Sequence, residues 1–565
     1  MTRPPRTLVT AALPYANGDL HLGHLAGAYL PADIYVRTLR LLGRDVLFIC
    51  GTDEYGVPIT KTAEALGVPY KEFVDRNHAS IRGSFVALGI AFDNFSQTSR
   101  PIHAETSRAF FLDLHGRGLL KQKTTDQFFC ATCARFLADR YVEGTCPRCG
   151  KPGARGDQCE KCGTALNQVE LVEPRCATCG HSPETRATRH WFLPLGDWQP
   201  RLQAWLAGKT HWKENVLNYC RGWFEQGLDD RAVTRDLPWG VPVPLPDHDG
   251  KVLYVWFDAP IGYISATREW AAEQGAPEAW RTWWQGADTR LIHFIGKDNI
   301  VFHAIMFPAM LMAHSEPYVL PENVPANEFL NLEGNKLSTS RGYAVWLPDY
   351  LAKFPADALR YALARNLPEA RDTDFSWEGF QARNNNELGN NFGNLINRVF
   401  AFAHKYFDGR VPSWSESAMT QVDRAAIGEV AACLDRFTEC VQTFDFKDAV
   451  EAMFQAGKAG NRYFDESAPF RTRKDDPVRC AQSLGVAFQI VRLLTLMLAP
   501  VTPFAAAKVW AWLGMESDLF RGGCVEGKRP LPAGRPVGKA EILFPRIEDE
   551  QIAPEVQRLR ELGAG

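Results

Sequence analysis

The sequence has no surplus of charge. Its 565 residues carry 63 Lys and Arg against 66 Asp and Glu, a formal net charge of −3. A strongly basic nucleic-acid coat protein is therefore excluded, although a local basic patch is not. Nor is there a basic-then-apolar leader: the first ten residues read MTRPPRTLVT and run straight into a strand-like segment. The most apolar late stretch, Leu494 to Trp510, is interrupted by Pro500, Pro503 and Lys508 and reads as too short to cross a membrane. Low-complexity tracts are missing. What is there is the balance of a globular protein, 45% hydrophobic and 23% charged, which excludes a disordered chain or a small disulfide-stapled scaffold. At ~150 residues per domain the length allows roughly four domains. The expectation is a cytoplasmic protein with no membrane partner.

The cysteines are unevenly spread. Eight of the 14 fall between Cys130 and Cys179, as four Cys-x-x-Cys pairs: Cys130/Cys133, Cys146/Cys149, Cys159/Cys162 and Cys176/Cys179. Each such turn points two thiolates at one tetrahedral ion, and two turns complete a Cys₄ zinc site. A disulfide framework fits poorly without a secretory leader, and a redox dithiol occurs once rather than four times. Two structural zincs are expected. The inner pairs, with Gly150, Gly153 and Gly156 between them, should share one ion and the outer pairs the other. The remaining six cysteines read as small buried hydrophobes.

TLVTAAL (7–13) reads as a buried strand, followed by a turn-rich loop, PYANGDLH. Helical spacing runs from Leu22 to Leu41, with Gly43 as a stop. DVLFICGTDE is a buried parallel-type strand ending in acidic residues. Helical patterns fill 59–114. The rhythm returns, after the cysteine segment, at VLYVWFDAPIGYISA and RLIHFIGKDNIVFHAIMFPAML, each read as strand, polar loop and helix. The expected fold class is α/β: a doubly wound parallel-sheet domain of Rossmann type, interrupted by a zinc-knuckle insertion. Beyond Trp377 the apolar spacing is that of an all-α bundle, with one late strand, EILFPRI.

Two constellations carry chemistry. His21-Leu22-Gly23-His24 sits where a strand end meets a helix start. Two imidazoles on one face of the first turn, beside free amides, suit an anion such as a nucleotide phosphate. The same residues are compatible with a metal pair or with ordinary surface histidines. Lys336-Leu337-Ser338-Thr339-Ser340-Arg341-Gly342 is a small polar loop with a fixed cation, suited to a triphosphate. Alone, it reads as a solvated turn.

Together the two motifs resemble the signatures of class I aminoacyl-tRNA synthetases. AALPYANGDLHLGH, FICGTDEYG, YVWFDAPIGYI, FIGKDNIVFH and AGNRYFDESAP, the last with Gly460 where the family often has Ala, resemble methionyl-tRNA synthetases in particular. The four Cys-x-x-Cys pairs match that family's two-knuckle insertion. The resemblance runs from about Leu8 to Glu548, nearly the whole chain. It implies a catalytic domain in two halves (1–115 and 231–325) around a connective domain with the knuckles (116–230). A loop and tRNA stem-contact region (326–380), an anticodon-binding bundle (381–540) and an extension packing back (541–565) would follow.

The resemblance also implies the activity. Methionine and ATP with Mg²⁺ would give methionyl-adenylate and pyrophosphate, and methionine would then pass to the terminal adenosine of initiator and elongator tRNA(Met). By similarity, His21 and His24 stabilise the α-phosphate and Lys336 the leaving pyrophosphate. Gly23, Asp298, Ser338, Thr339 and Ser340 complete the ATP site. Thr339 stands where the family's second lysine is usual, a departure for which Arg341 is the candidate replacement. The methionine pocket is carried over to Ala12, Leu13, Tyr15, Trp256, Ala259, Pro260, Tyr263 and His303, with Asp53 on the α-ammonium. Anticodon contacts fall on Asn394, Arg398 and Phe470, a phenylalanine at a position where the family often has Trp. The zinc ligands are Cys146, Cys149, Cys159 and Cys162 for one ion and Cys130, Cys133, Cys176 and Cys179 for the other. With no room for a further C-terminal module, a monomer is expected. Three competing readings are weighed: a synthetase for another apolar amino acid, a zinc-knuckle RNA-binding protein with an inactive α/β domain, and a nucleotidylyltransferase that uses no tRNA. The short insertion and the Trp256/Tyr263 motif oppose the first. Intact His21, His24, Asp53 and Lys336 oppose the second, and the bundle with Asn394 and Arg398 opposes the third.

Overall fold

A computed structural model describes residues 6–138, 141–155, 162, 168–248, 250–339 and 341–563. Its centre is a parallel sheet whose middle strands are buried apolar runs. The strands are β1 (Arg6–Ala11), β2 (Val46–Thr52), β3 (Asn94–Gln97), β4 (Thr289–Gly296), β5 (Pro321–Asn323) and β6 (Ala326–Asn327). Their order is β5-β4-β1-β2-β3, with β6 also on β4, and every pairing is parallel. Leu8 faces Leu291 and Val9 faces both Ile292 and Phe48. This is the doubly wound α/β domain expected. Its order reverses between β1 and β4, and in such sheets ligands bind beyond the carboxyl ends of the strands at that switch.

Several elements differ from the sequence reading. β3 lies inside the stretch read as wholly helical; a four-residue strand, NFSQ, leaves almost no periodic signal. VLYVWF, rich in β-formers, is a strand only at Val252–Leu253. From there helix α1 (Val255–Glu273) takes over, with Asp258 in its first turn, and packs across β2 and β3. Packing has overridden β propensity. EILFPRI forms no strand. Side-chain amides stand in for a ladder partner: Asn384 donates to the Pro545 carbonyl (2.9 Å) and Asn385 to that of Ile547 (2.8 Å). The late apolar stretch is divided at Thr502 between two helices, Pro477–Val501 and Pro503–Trp512; the first is apolar and long enough to cross a membrane, and its apolar window is entirely buried in the bundle.

The insertion leaves the sheet as an antiparallel ribbon, Lys121–Cys130 against Glu184–Leu193, which carries the cysteine turns at its far end. In the bundle, helices α2 (Asn394–Tyr406), α3 (Phe446–Ser467) and α5 (Pro477–Val501) pack with the helix Gln421–Gln442, and a short helix, α4 (Pro469–Asp475), joins α3 to α5. Gly460 is forced by this packing: a Cβ there would lie 2.6 Å from Leu395 Cδ2 and 2.9 Å from Ile490 Cγ2. Three segments widen into π-helical turns: Leu25–Tyr29, Phe302–Met306 and Arg383–Gly393.

A buried ion-pair knot ties the sheet domain to the bundle. Arg360 and Asp33, both fully buried, pair at 2.6 Å. Arg37 donates to the same Asp33 oxygen at 2.7 Å. The Arg360 guanidinium also donates to the carbonyls of Pro500 (2.8 Å), Val501 (3.0 Å) and Leu88 (3.2 Å).

Within the bundle, Asp423 accepts both guanidinium nitrogens of Arg479 (2.6 and 2.7 Å), the Tyr463 hydroxyl (2.6 Å) and the Thr420 amide (2.8 Å). These donors outweigh its burial and hold its carboxyl at about 2. Its stabilising contribution is complete above the ordinary carboxylate pKa of ~3.9 and is lost as the pH falls toward about 2. Asp423→Ala strands the Arg479 charge and should destabilise the bundle by roughly 3 kcal/mol at neutral pH. Denaturant unfolding followed by circular dichroism checks this, and an unchanged midpoint contradicts it.

Candidate active site

The HLGH turn begins beyond the carboxyl end of β1, at the switch point. His21 is extended (φ −119°, ψ 173°) and caps the turn. Its Nδ1 accepts the Gly23 amide at 3.1 Å, and His24 Nδ1 accepts the His21 amide at 3.1 Å. Both Nδ1 atoms are thus acceptors, so each neutral ring carries its proton on Nε2. The rings stack with centroids 3.8 Å apart. Burial lowers His21 to about 2, helped by the neighbouring His24, and lowers His24 to about 4. At neutral pH the pair is two uncharged N–H donors fixed side by side.

The second motif folds onto the first. Asn335–Lys336 pairs with Leu330–Leu332 through a turn at Glu333-Gly334, where φ is +48° and +76°. Ser338 and Tyr343 exchange backbone hydrogen bonds (3.0 and 2.9 Å) and close the loop. Leu337 reaches Gly23: a Cβ there would sit 2.7 Å from Leu337 Cδ1 and 2.9 Å from His21 Cε1. The chain then runs along the histidine turn. Leu22 N donates to Val345 O (3.2 Å), Leu347 N to Leu20 O (2.8 Å), and Trp346 lies edge-on to His21 at 5.8 Å. Lys336 and Thr339 are exposed, and Lys336 makes no ion pair among the described residues. Arg341 Nε donates to Ser338 Oγ at 3.3 Å. Ser340 lies outside the described residues.

A second group of sequence-predicted residues gathers at the carboxyl ends of β1 and β2. Ala12, Leu13 and Tyr15 follow β1, and this segment locks to the end of β2 by Asp53 N to Pro14 O and Ala16 N to Asp53 O, both 2.8 Å. Helix α1 supplies Trp256, Ala259, Pro260 and Tyr263; Gly262 lets it approach Leu13, whose Cδ1 would be 3.0 Å from an added Cβ. The Tyr263 hydroxyl meets His303 Nε2 at 2.8 Å, while His303 Nδ1 faces the Asn299 carbonyl at 3.0 Å. The carbonyl can only accept, so His303 Nδ1 is the donor and Nε2 accepts from the tyrosine. Trp256 is 36% exposed at the rim and packs edge-on against Phe302. Asp298 is exposed just past β4.

Asp53 is buried and accepts the Tyr55 amide at 3.3 Å, with no ion pair among the described residues. Burial, with Asp258 and Glu54 nearby, pushes its carboxyl well above the usual range. Sequence reasoning missed Asp258, Glu54 and His103. Asp258 Oδ2 lies 3.2 Å from His103 Nε2, and Asp258 Oδ1 and Glu54 Oε2 find no partner among the described residues. GTDEYG and WFDAPIG hold these acids in plain view, but nothing local signals their burial. Buried acids without an ion pair to Lys or Arg among the described residues suit an ammonium group, and two uncharged imidazoles with an exposed lysine suit a nucleotide.

Comparison with known proteins agrees. Residues 7–400 match the profile of tRNA synthetases class I (M), and residues 411–561 that of the anticodon binding domain of methionyl tRNA ligase. The chain belongs to the methionyl-tRNA synthetase family. Methionine–tRNA ligase of Porphyromonas gingivalis is 49% identical over 559 residues, covering 98% of this chain and 81% of the relative. That of Salinibacter ruber is 48% identical over 588 residues, covering 100% and 82%. Among solved structures, Mycobacterium tuberculosis methionyl-tRNA synthetase in complex with methionyl-adenylate superposes with TM-score 0.78 at 27% identity, covering 96% of this chain and 100% of that one. The apo form of the same protein gives 0.72 at 26%, covering 97% and 99%.

Two thiol groups fit the knuckles of a methionyl-tRNA synthetase. Cys130, Cys133, Cys176 and Cys179 converge, all sulfurs within 4.8 Å of one another. Cys130–Cys179 is 3.4 Å and Cys133–Cys176 3.8 Å. Sulfurs bound tetrahedrally at ~2.3 Å lie ~3.8 Å apart, so the set can hold a zinc ion. Cys146, Cys149 and Cys162 form a second group, with Cys146–Cys162 at 3.9 Å. Cys159 lies outside the described residues. On the bundle, Asn394 is exposed one turn before Arg398, which pairs with Asp465 and lies over the Phe464 ring at 4.4 Å. Phe470 is 50% exposed on α4.

The histidine geometry makes a direct prediction. In ¹⁵N-detected NMR of the ligand-free protein, His24 should keep an unprotonated Nδ1 and a protonated Nε2 through neutrality and titrate near 4, with His21 lower still. Below the ordinary histidine pKa of ~6.5 the unfolded chain binds protons that the folded pair refuses, so acid weakens this turn. A midpoint near 6.5 contradicts the geometry.

Proposed function

We propose that this site activates methionine with ATP and transfers it to tRNA; its relatives are named methionine–tRNA ligases. The observation that supports this best is the contact of the two signature loops, Leu337 on Gly23, beyond the carboxyl end of β1. A methionine carboxylate oxygen attacks the α-phosphorus in line. The bond to the pyrophosphate oxygen breaks and the mixed anhydride forms. His21 and His24 donate Nε2–H to the α-phosphate oxygens as charge accumulates. The free Lys336 ammonium follows the departing pyrophosphate. Gly23, Asp298, Ser338, Thr339 and Ser340 border the nucleotide, which arrives with Mg²⁺.

Asp53 supplies the counter-charge for the α-ammonium. Ala12, Leu13, Tyr15, Trp256, Ala259 and Pro260 would enclose the apolar chain, with Tyr263 and His303 at its far end. Asn394, Arg398 and Phe470 are assigned to the anticodon of initiator and elongator tRNA(Met). The outer cysteine pairs would hold one structural zinc and the inner pairs, with Cys159, a second; the ions would fold the knuckles. By the family resemblance the protein is assigned to the cytoplasm as a monomer, and the described cysteines form no disulfide.

ATP–pyrophosphate exchange tests the reading. Methionine should drive it, and leucine, isoleucine, valine and cysteine should not. His24→Ala should lower the rate ~10²–10³-fold, as expected for removing one donor to a developing charge. Arg398→Ala should raise the KM for tRNA while exchange persists. Exchange driven by another amino acid refutes the pocket assignment. Elemental analysis should find two zincs per chain; one or none contradicts the knuckle assignment.

A further inference from the structure

Beyond Arg398, α2 ends in His404, Lys405 and Tyr406, and α4 packs beside that end. The Arg473 guanidinium lies over the Tyr406 ring, 4.4 Å from its centroid, and Lys405 Nζ is 5.3 Å from the same centroid. Phe402 props the ring from the preceding turn at 4.7 Å. Tyr406 is 38% exposed. Arg471 sits over Phe470 at 5.8 Å, and Lys474 is exposed next to Arg473. None of Lys405, Arg471, Arg473 and Lys474 makes an ion pair among the described residues. Of the nearby carboxylates, Asp465 pairs with Arg398 and Asp476 caps the Arg479 amide at 3.0 Å, while the exposed Asp475, on α4 itself, makes no ion pair among the described residues.

Four free cations around two exposed rings are unusual on a chain of net charge −3. A guanidinium resting on an aromatic face is held in place without using its N–H edge. That edge remains available, and a phosphate is the acceptor it fits bidentately. Tyr406 lies eight residues past Arg398, about 12 Å along the helix. A strand whose bases reach Asn394 and Arg398 and that runs on toward the carboxyl end of α2 carries its backbone past this patch.

We propose that Arg473, held by Tyr406 and flanked by Lys405, Arg471 and Lys474, grips the sugar–phosphate backbone of the tRNA next to its anticodon. The inference rests on the bundle being the anticodon-binding unit. Arg473 binds phosphate; Tyr406 is a positioning residue. The contact is indifferent to base identity, because phosphates carry no sequence information.

The test uses the full chain with tRNA(Met) and a version carrying a changed anticodon, binding being followed against KCl concentration. Arg473→Gln should weaken both tRNAs by the same factor, about five- to tenfold, and lower the slope of log Kd against log salt by about 1. Tyr406→Phe should match the parent and Tyr406→Ala should lose affinity, with unchanged melting temperatures showing that the fold survives. Equal Kd and slope for Arg473→Gln, while Arg398→Ala still weakens cognate binding, overturns the phosphate grip and leaves the anticodon reading standing. A loss seen only with the cognate anticodon makes Arg473 a base reader and also overturns it. If Arg398→Ala changes nothing, the anticodon reading itself fails.

Discussion

The fold hangs on the pair between Arg360 and Asp33. One guanidinium, without solvent contact, reaches a carboxylate on the helix that follows the histidine turn and carbonyls at the end of the central bundle helix. Breaking one partner of such a pair costs about 3–5 kcal/mol, because the other charge is left buried. The same geometry fixes the helix behind the histidines against the bundle, so sheet domain and bundle do not tumble independently at this point. A pair of leucines would pack as well but would tolerate sliding. A forked cation with four oxygens to satisfy has one place to sit.

Elsewhere the molecule leaves polar groups without partners of opposite charge. Among the described residues Asp53 has no cation and Lys336 no anion, burial pushes the Asp53 carboxyl up, and His21 and His24 are denied their protons by burial. Each vacancy is complementary to one part of an amino acid or a nucleotide triphosphate. The cost of keeping these groups unpaired is met by the large apolar core beneath them, where strands β1, β2 and β4 are buried along almost their whole length. Neutral imidazoles also have a kinetic advantage. They donate hydrogen bonds without first shedding a shell of ordered water, so little reorganisation accompanies charge build-up.

What could be read from the sequence was local. The histidine turn, the polar loop after Lys336, the cysteine pairs and the strand DVLFICGT are each written in adjacent residues. What could not be read depends on distant contacts. Leu337 against Gly23 joins positions over 300 residues apart, and the fate of VLYVWF was decided by the sheet it packs on rather than by its β-branched residues. EILFPRI has the composition of a strand but meets a helix lined with asparagines instead of a free edge. Asp258 looks like a surface acid until helix α1 turns it inward against His103. Gly460, a departure when set beside the family, becomes a packing requirement once Leu395 and Ile490 are in place.

The π-helical turns bear on tolerance to change. One follows the histidine turn, one contains His303 and one ends just before Asn394. Each absorbs surplus chain into a helix, and the third runs over 11 residues. An α-helix advances by roughly 100° per residue, so losing that surplus would rotate everything on one side of the turn by that angle. Substitutions here would be absorbed by repacking, whereas a one-residue deletion would point His21, His303 or Asn394 at the wrong wall. The site is thus buffered against changes of letter and brittle to changes of length.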